Sequence, residues 1–217
     1  MRHAFSRLVR SRSGASAAEF ALVLPLLLLF IFGLIDVGRF MWTTNRAEKA
    51  TQMGARFAIV TDLVPAGLVG YSFAVSGGIP QGDAIPETSF AGATCTSSTN
   101  AITAAAVTCS CVTGGTCPNL GTASVAAFNN ILDRMRKFMP ELKANQVKID
   151  YAFSGLGYAG DPNGIDVAPL VKVSLRQDAS RPVFQPTTLV LFGANIPLPP
   201  FSAEATLEDG SGTTTPN

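Results

Sequence analysis

The stretch Gly14-Ala-Ser-Ala-Ala-Glu-Phe20, followed directly by an apolar run, decides how this chain is organised. Every residue from Phe20 to Ile35 is apolar, if proline and glycine are counted. A helix of about 20 apolar residues is long enough to cross the hydrocarbon core of a bilayer. The sequence therefore predicts a membrane span at about residues 17–40, with the carboxylates of Glu19 and Asp36 near its two ends.

The segment before the span is basic and contains no acidic residue. Its arginines place the N-terminus in the cytoplasm and the chain after Phe40 across the membrane, according to the positive-inside rule. A cleaved signal peptide would need a small-residue site after the apolar core, and the sequence from Asp36 to Trp42 offers none. Gly14 is the small-residue site, and it precedes the core. Cleavage there would remove residues 1–14 as a leader and keep the helix, which is typical of pilin-type precursors. The leader arginines are Arg2, Arg7, Arg10 and Arg12.

Three sequence strings carry a resemblance to a known family. They are Gly14-Ala-Ser-Ala-Ala-Glu-Phe20, Gly33-Leu-Ile-Asp-Val-Gly-Arg39 and Gly54-Ala-Arg-Phe-Ala58. Together they resemble the TadE-like family of tight-adherence (Flp, type IVb) pilus assembly proteins, which are pseudopilins. The resemblance covers roughly residues 14–60. Family members usually have glutamate where Asp36 stands, which is a conservative difference.

The resemblance implies a processing site and two residues involved in assembly. A prepilin peptidase would cut between Gly14 and Ala15, and Glu19 and Phe20 complete the recognised motif. Glu19 would then pair with the N-terminal ammonium group of a neighbouring subunit. Alternatively, Glu19 is only an interfacial residue that extends toward the lipid headgroups. Pro25 removes a helical hydrogen bond and would bend the span, or it is simply a tolerated membrane proline.

Asp36 and Arg39 are predicted to form an ion pair on one face of the helix. Residues three apart in a helix are neighbours on its surface. A proton relay would need further ionisable partners deeper in the bilayer, and the span contains none. The pair is therefore interpreted as structural.

Composition and charge argue against several classes of function. The net charge is +1, and removing the four leader arginines leaves 12 basic against 15 acidic residues, a net charge of −3. This balance argues against a nucleic-acid surface. His3 is the single histidine and lies in the leader, which excludes Ser-His or Cys-His catalysis and histidine metal sites from a mature chain. We expect no enzymatic activity, no cofactor and no bound metal.

Two other functions stay open from sequence. One is an uncleaved, signal-anchored envelope protein. The other is a periplasmic binding or enzymatic domain without a recognisable catalytic motif.

The four cysteines predict two disulfides. They lie beyond the span, and the predicted topology places this part of the chain outside the cytoplasm, where the environment is oxidising. Three pairings are conceivable, although a bond between Cys109 and Cys111 would close a strained ring. A zinc knot is the alternative, but the spacing is a poor match to zinc-binding patterns. The cysteines are Cys95, Cys109, Cys111 and Cys117.

The fold class predicted from the pattern is α+β and pilin-like, with a three-stranded antiparallel sheet. A transmembrane and stem helix covers residues 15–62. An irregular cysteine-containing segment follows at 63–120, with short strands around Val69–Val75. A head at 121–208 combines a second helix with the sheet, and a flexible tail occupies 209–217.

The head elements are predicted from hydrophobic periodicity. The second helix is capped by Thr122 or Ser124, and its apolar stripe consists of Val125, Phe128, Ile131, Leu132, Met135 and Phe138. Two strands alternate around Val147, Ile149, Tyr151 and Phe153, and around Val171, Val173 and Leu175. A third extended segment covers residues 196–207.

A turn at Asp161, Asn163 and Asp166 offers oxygen ligands suited to calcium. The alternative, an Asx-type hairpin turn, needs no metal and is favoured.

Localisation and partners follow from the resemblance. A single-pass inner-membrane protein with a periplasmic C-terminal domain is implied, either within or at the tip of a pilus or acting only in its assembly. The implied partners are the prepilin peptidase, other pilins and pseudopilins, inner-membrane platform proteins and the lipid bilayer, with no nucleic acid. The resemblance fits a TadE role and that of its sister subunit, the TadF-like one, equally well.

Overall fold

The computed structural model describes most of the chain as two compact units. The first unit ends at Trp42 and the second begins at Thr43. The predicted leader up to Ser13, the tail at 209–217 and residues 196–198 of the third extended segment lie outside the described residues. The described ranges are 14–118, 120–176 and 199–208.

The first element is a helix of 44 residues, α1 (Ala15–Ala58). It begins directly after Gly14 and ends a few residues before the predicted boundary at residue 62. The last turn is tightened, because the N–H of Val60 donates to the carbonyl of Phe57, three residues back, at 3.2 Å. Pro65 lies beyond this point and cannot continue a helix.

The second helix, α2 (Val125–Arg136), begins at the predicted serine cap. The Ser124 hydroxyl accepts a hydrogen bond from the N–H of Ala127 at 3.1 Å, which satisfies one of the free donors at the helix start. The predicted apolar stripe is largely confirmed. Of its six predicted members, Val125 and Phe138 are only half-buried, and Phe138 lies beyond the end of the helix. The residues that α2 buries are the other four members and Ala127, which was not predicted: Ala127, Phe128, Ile131, Leu132 and Met135.

The sheet is antiparallel and has five strands in the order β2-β1-β3-β4-β5. The predicted number of three strands was wrong, whereas the α+β class is confirmed. β3 and β4 match the two alternating patterns, and β5 lies inside the third extended segment. The strands are β1 (Gly92–Thr96), β2 (Thr108–Cys111), β3 (Val147–Ala152), β4 (Leu170–Leu175) and β5 (Ser202–Thr206).

The two additional strands lie in the segment that was predicted to be irregular. β1 pairs with β2 on one side and with β3 on the other, with Cys95 opposite Cys109 and Ile149. The strands predicted around Val69–Val75 are absent from this described stretch. A 3-10 helix (Ala66–Leu68) and turns take their place. Residues two apart in a strand share one face, but here Phe73 is buried while Val75 is 86% exposed, which does not fit a strand.

The sheet separates a core face from a polar face. Alternate residues of β3 and β4, such as Ile149, Tyr151 and Val173, are fully buried in the core that also contains α2. Most of the intervening positions are polar, and Asp150 lies opposite Lys172. This alternation is typical of an antiparallel sheet with one face packed and the other solvated.

Candidate functional site

The predicted processing site lies at the very start of α1. Gly14 is exposed and directly precedes the first helical residue, Ala15. A Cβ atom built on Gly14 would meet nothing within 4 Å. Glu19 is exposed one turn into the helix, and Phe20 is 63% exposed. The predicted motif is therefore accessible along its described part.

The N-terminal part of α1 exposes large apolar side chains along most of its length. Leu22 is 79% exposed and Leu26 is 73% exposed. Among the described residues, one helical segment, Ser16–Ala58, is long and apolar enough to cross a membrane by length and composition. Such a surface would be unfavourable in water and matches the hydrocarbon of a bilayer.

The interior of this apolar stretch contains one proline and, near its end, one ion pair. Pro25 lies inside the helix without ending it. Nη1 of Arg39 lies 3.8 Å from Oδ1 of Asp36, one turn earlier, as predicted. The Asp36 side chain is only 2% exposed, whereas that of Arg39 is 49% exposed.

From Thr43 onward, α1 packs into the second unit through small side chains. Gly54 packs closely: a Cβ atom there would lie 2.7 Å from Cγ of Met135 in α2 and 3.3 Å from Cγ1 of Val173 in β4. Any larger residue would have to displace both. The buried small residues on this part of the helix are Thr43, Ala47, Ala50, Thr51, Gly54, Ala55 and Ala58.

Arg46 fastens α1 to the turn that follows α2. Its Nε–H donates to the carbonyl of Phe138 at 2.8 Å, and its Nη2 lies 2.8 Å from Oε2 of Glu141. Carbonyls after a helix end need donors, and a cation suits that end of the helix dipole. Sequence reasoning missed Arg46, because its partners lie more than 90 residues further along the chain.

The four cysteines form two disulfides in the structure, Cys95–Cys109 and Cys111–Cys117. The first joins β1 to β2 between directly opposite residues, with Cys95 fully buried. The second ties the end of β2 to the loop that follows it. Each of the three pairings was open from sequence, and the disfavoured bond between neighbouring cysteines is not formed.

The turn considered for calcium uses its oxygens internally. Oδ2 of buried Asp166 accepts from the N–H of Phe73 at 2.7 Å, and its Oδ1 accepts from the N–H of Asp161 at 3.0 Å. Oδ1 of Asp161 accepts from the N–H of Asn163 at 2.9 Å, which is an Asx turn. Across the described ranges, no group of three or more His, Cys, Asp or Glu residues is arranged to hold a metal.

Two tyrosines have raised pKa values for different reasons. Complete burial raises the pKa of Tyr151 far above its usual value, although the hydrogen bond that its oxygen accepts from Val64 N–H acts in the opposite direction. Hydrogen bonding to the Asp161 carboxylate raises the pKa of exposed Tyr158, with smaller contributions that include the negative charge of Asp166. Both phenols therefore stay neutral at physiological pH, and the Tyr151 side chain packs in the hydrophobic core.

A comparison with known protein families finds a match for the N-terminal segment. Residues 14–56 match the family model described as TadE-like protein. No curated protein and no solved structure matches the chain. The matched residues begin at the predicted processing glycine and contain the apolar helix, which indicates a membrane-anchored, single-pass protein. Residues 14–56 are thus a TadE-like domain, which indicates involvement in tight-adherence pilus assembly.

Proposed function

We propose that this chain is a pseudopilin or minor pilin subunit that is needed to assemble a tight-adherence type IV pilus. The observation that carries the proposal is the TadE-like match, which begins at Gly14 and runs through the exposed apolar helix. The proposed role is that of a subunit, and the chain performs no catalysis of its own.

Maturation would begin with a cut after Gly14 by a prepilin peptidase at the cytoplasmic face. A glycine suits this position because a protease has to approach the backbone closely. The cut leaves a new α-amino group on Ala15. Glu19 lies four residues on, so its carboxylate and the ammonium group share one helix face.

Glu19 would act during assembly as a partner for the ammonium group of a neighbouring subunit. A carboxylate near hydrocarbon is poorly solvated, so a charged partner offsets its desolvation. Exposed leucines and phenylalanines of α1 would pack against neighbouring helices in the bilayer. Other pilins, pseudopilins and inner-membrane platform proteins are the proposed partners of this surface.

The second unit would lie in the periplasm, on the side opposite the arginine-rich leader. Two disulfides in this unit support such a location, because disulfides persist in oxidising compartments. The five-stranded sheet and α2 would form the head that the assembled pilus machine presents outside the inner membrane.

Cleavage is tested by expressing the full chain with a cognate prepilin peptidase and sequencing the N-terminus. We expect a mature chain that begins at Ala15. The Gly14→Arg variant should remain at precursor length, because an arginine side chain blocks the close approach of the protease. A catalytically inactive peptidase is the control. Cleavage elsewhere, or full-length wild-type protein with active peptidase, would refute the proposed maturation.

The role of Glu19 in assembly is tested separately. We expect Glu19→Ala to be cleaved normally while the number of pili per cell falls strongly, because the ammonium group of the neighbour loses its partner. Glu48→Ala, at an exposed carboxylate further along the same helix, is the matched control and should leave piliation unchanged. Normal piliation with Glu19→Ala would show that this carboxylate has no part in assembly.

A further inference from the structure

The connection between β3 and β4 contains an exposed tripeptide, Pro162-Asn163-Gly164. All three residues are exposed, and Asn163 is held by the hydrogen bond from its backbone N–H to Oδ1 of Asp161. The backbone of the tripeptide is therefore fixed at Asn163, and water can reach the Asn163 side chain.

We infer that Asn163 is a site of spontaneous deamidation, at which the backbone nitrogen of Gly164 converts the side chain into aspartate or isoaspartate. This modification site stands independently of the proposed pilus function, because it depends only on the geometry of the turn.

Both reacting groups are available in the turn. Within the part of the chain that the structure describes, neither the side-chain amide of Asn163 nor the N–H of Gly164 has a hydrogen-bond partner. A Cβ atom on Gly164 would meet nothing within 4 Å, so the approach to its nitrogen is open. Glycine also lacks the side chain that would hinder ring closure in any other residue.

The reaction balances with water as the co-reactant. The nitrogen of Gly164 loses its proton to hydroxide and attacks Cγ of Asn163, which forms a C–N bond and a five-membered succinimide. The bond from Cγ to Nδ2 breaks, and Nδ2 takes a proton from water, which regenerates hydroxide, and leaves as ammonia. Water then adds to either carbonyl of the ring, giving aspartate or isoaspartate. Overall, one amide and one water become one carboxylic acid and one ammonia, without any redox change.

Other asparagines lack these features, which makes the inference specific. Both amide atoms of Asn129 are bound to the backbone of Ala104, at 2.8 Å and 3.0 Å. Asn129 also lies inside α2 and is followed by a residue with a side chain. Asn100 is exposed, but Ala101 follows it and carries a Cβ atom.

Deamidation would add a third negative charge to the turn beside Asp161 and Asp166. The isoaspartate form would also insert one extra carbon into the backbone at the tip. Because Asp161 accepts from the N–H of Asn163, repulsion between the two carboxylates would weaken that hydrogen bond. The change would therefore loosen the Asx turn without touching the disulfides or the core.

The test is an incubation of the purified full-length protein in detergent at mildly alkaline pH. Peptide mass spectrometry and enzymatic methylation of isoaspartate are followed over time. We expect isoaspartate to accumulate at residue 163, while Asn129 and Asn100 keep their amides. The Gly164→Ala variant should lose the signal at residue 163, and the open space around this position lets it fold normally.

Three results would overturn the inference. The first is an Asn163 amide that survives as long as that of Asn129. The second is a Gly164→Ala protein that deamidates at the wild-type rate, since the attack would then not depend on the open glycine. The third is an Asn163→Gln protein in which the amide at residue 163 is lost at the wild-type rate, since the longer glutamine side chain closes the ring poorly. Near-ultraviolet circular dichroism of each variant reports whether the fold is preserved.

Discussion

The two parts of helix α1 differ in the size of the residues that their surroundings require. Up to Trp42 the helix exposes large apolar side chains, such as Leu22 and Leu26, at 79% and 73%. From Thr43 onward its buried residues are small, and Ala47, Ala50 and Ala58 are completely buried. The side chains of one continuous helix thus differ between its two parts. The size of the apolar side chains distinguishes the two parts more clearly than their hydrophobicity does.

The contrast has a simple physical origin. Removing apolar surface from water is favourable by about 25 cal/mol per Å², so the exposed leucines are more stable in the hydrocarbon of a bilayer than in water. A helix packed on other elements gains more from close approach, which small residues permit. Gly54 is the extreme case, because Met135 already fills the space of its missing Cβ atom.

The largest expected effect comes from placing a charge in the apolar part. Leu26→Arg should weaken membrane insertion by about 2.5–3.5 kcal/mol on insertion scales, because the guanidinium would lie near the centre of the span. Extraction of membranes with alkaline carbonate measures the loss as protein that is released from the pellet.

The matched control is Gln52→Arg, at an exposed position in the second part of the same helix. We expect this variant to stay in the pellet like the wild type. If Leu26→Arg also stays there, the first part of α1 does not depend on a hydrocarbon environment, and the contrast fails.

The second expected effect separates two glycines of the same helix. Gly54→Val should destabilise the folded second unit by about 1–3 kcal/mol, the usual cost of overpacking a core. Gly33→Val should leave the thermal stability of the second unit unchanged, because a Cβ atom at Gly33 meets nothing within 4 Å. Thermal unfolding in detergent, followed by near-ultraviolet circular dichroism, measures both. Equal stability of the two variants would contradict the close packing at Gly54.

The smallest expected effect concerns the fastening of the second part. Arg46→Met keeps an apolar stem but removes the hydrogen bond to Phe138 and the ion pair with Glu141. Glu141 is half exposed, so the pair itself adds little, and we expect a total loss of about 1 kcal/mol. The same thermal assay measures it. Arg56→Met, at an exposed site, is the control and should match the wild type.

Periodic elements could be predicted from sequence because each repeats a strong signal. The apolar run gave α1, the 3.6-residue stripe gave α2, and strict alternation gave β3 and β4. The processing motif was recognised for a different reason: its residues are contiguous, so no folding is needed to bring them together. The match to residues 14–56 confirms the family resemblance, whereas cleavage after Gly14 stays a prediction.

The missed elements share weak or distant signals. The core-facing residues of β1 are Ala93 and Cys95, which are too small to produce a visible alternation of large apolar residues. Pairing with β3 and a disulfide hold the strand instead. The close packing at Gly54 has no local sequence signal, since the residue that requires a glycine there, Met135, lies about 80 positions later.

The order of the disulfides along the chain has a consequence for their topology. Each bond joins cysteines that are consecutive in sequence, with separations of 14 and 6 residues. The two covalent rings are therefore side by side: neither encloses, threads nor shares a residue with the other. Either ring can close or open without changing the size of its neighbour, so Cys95–Cys109 and Cys111–Cys117 constitute two separable crosslinks and not one interlocked knot.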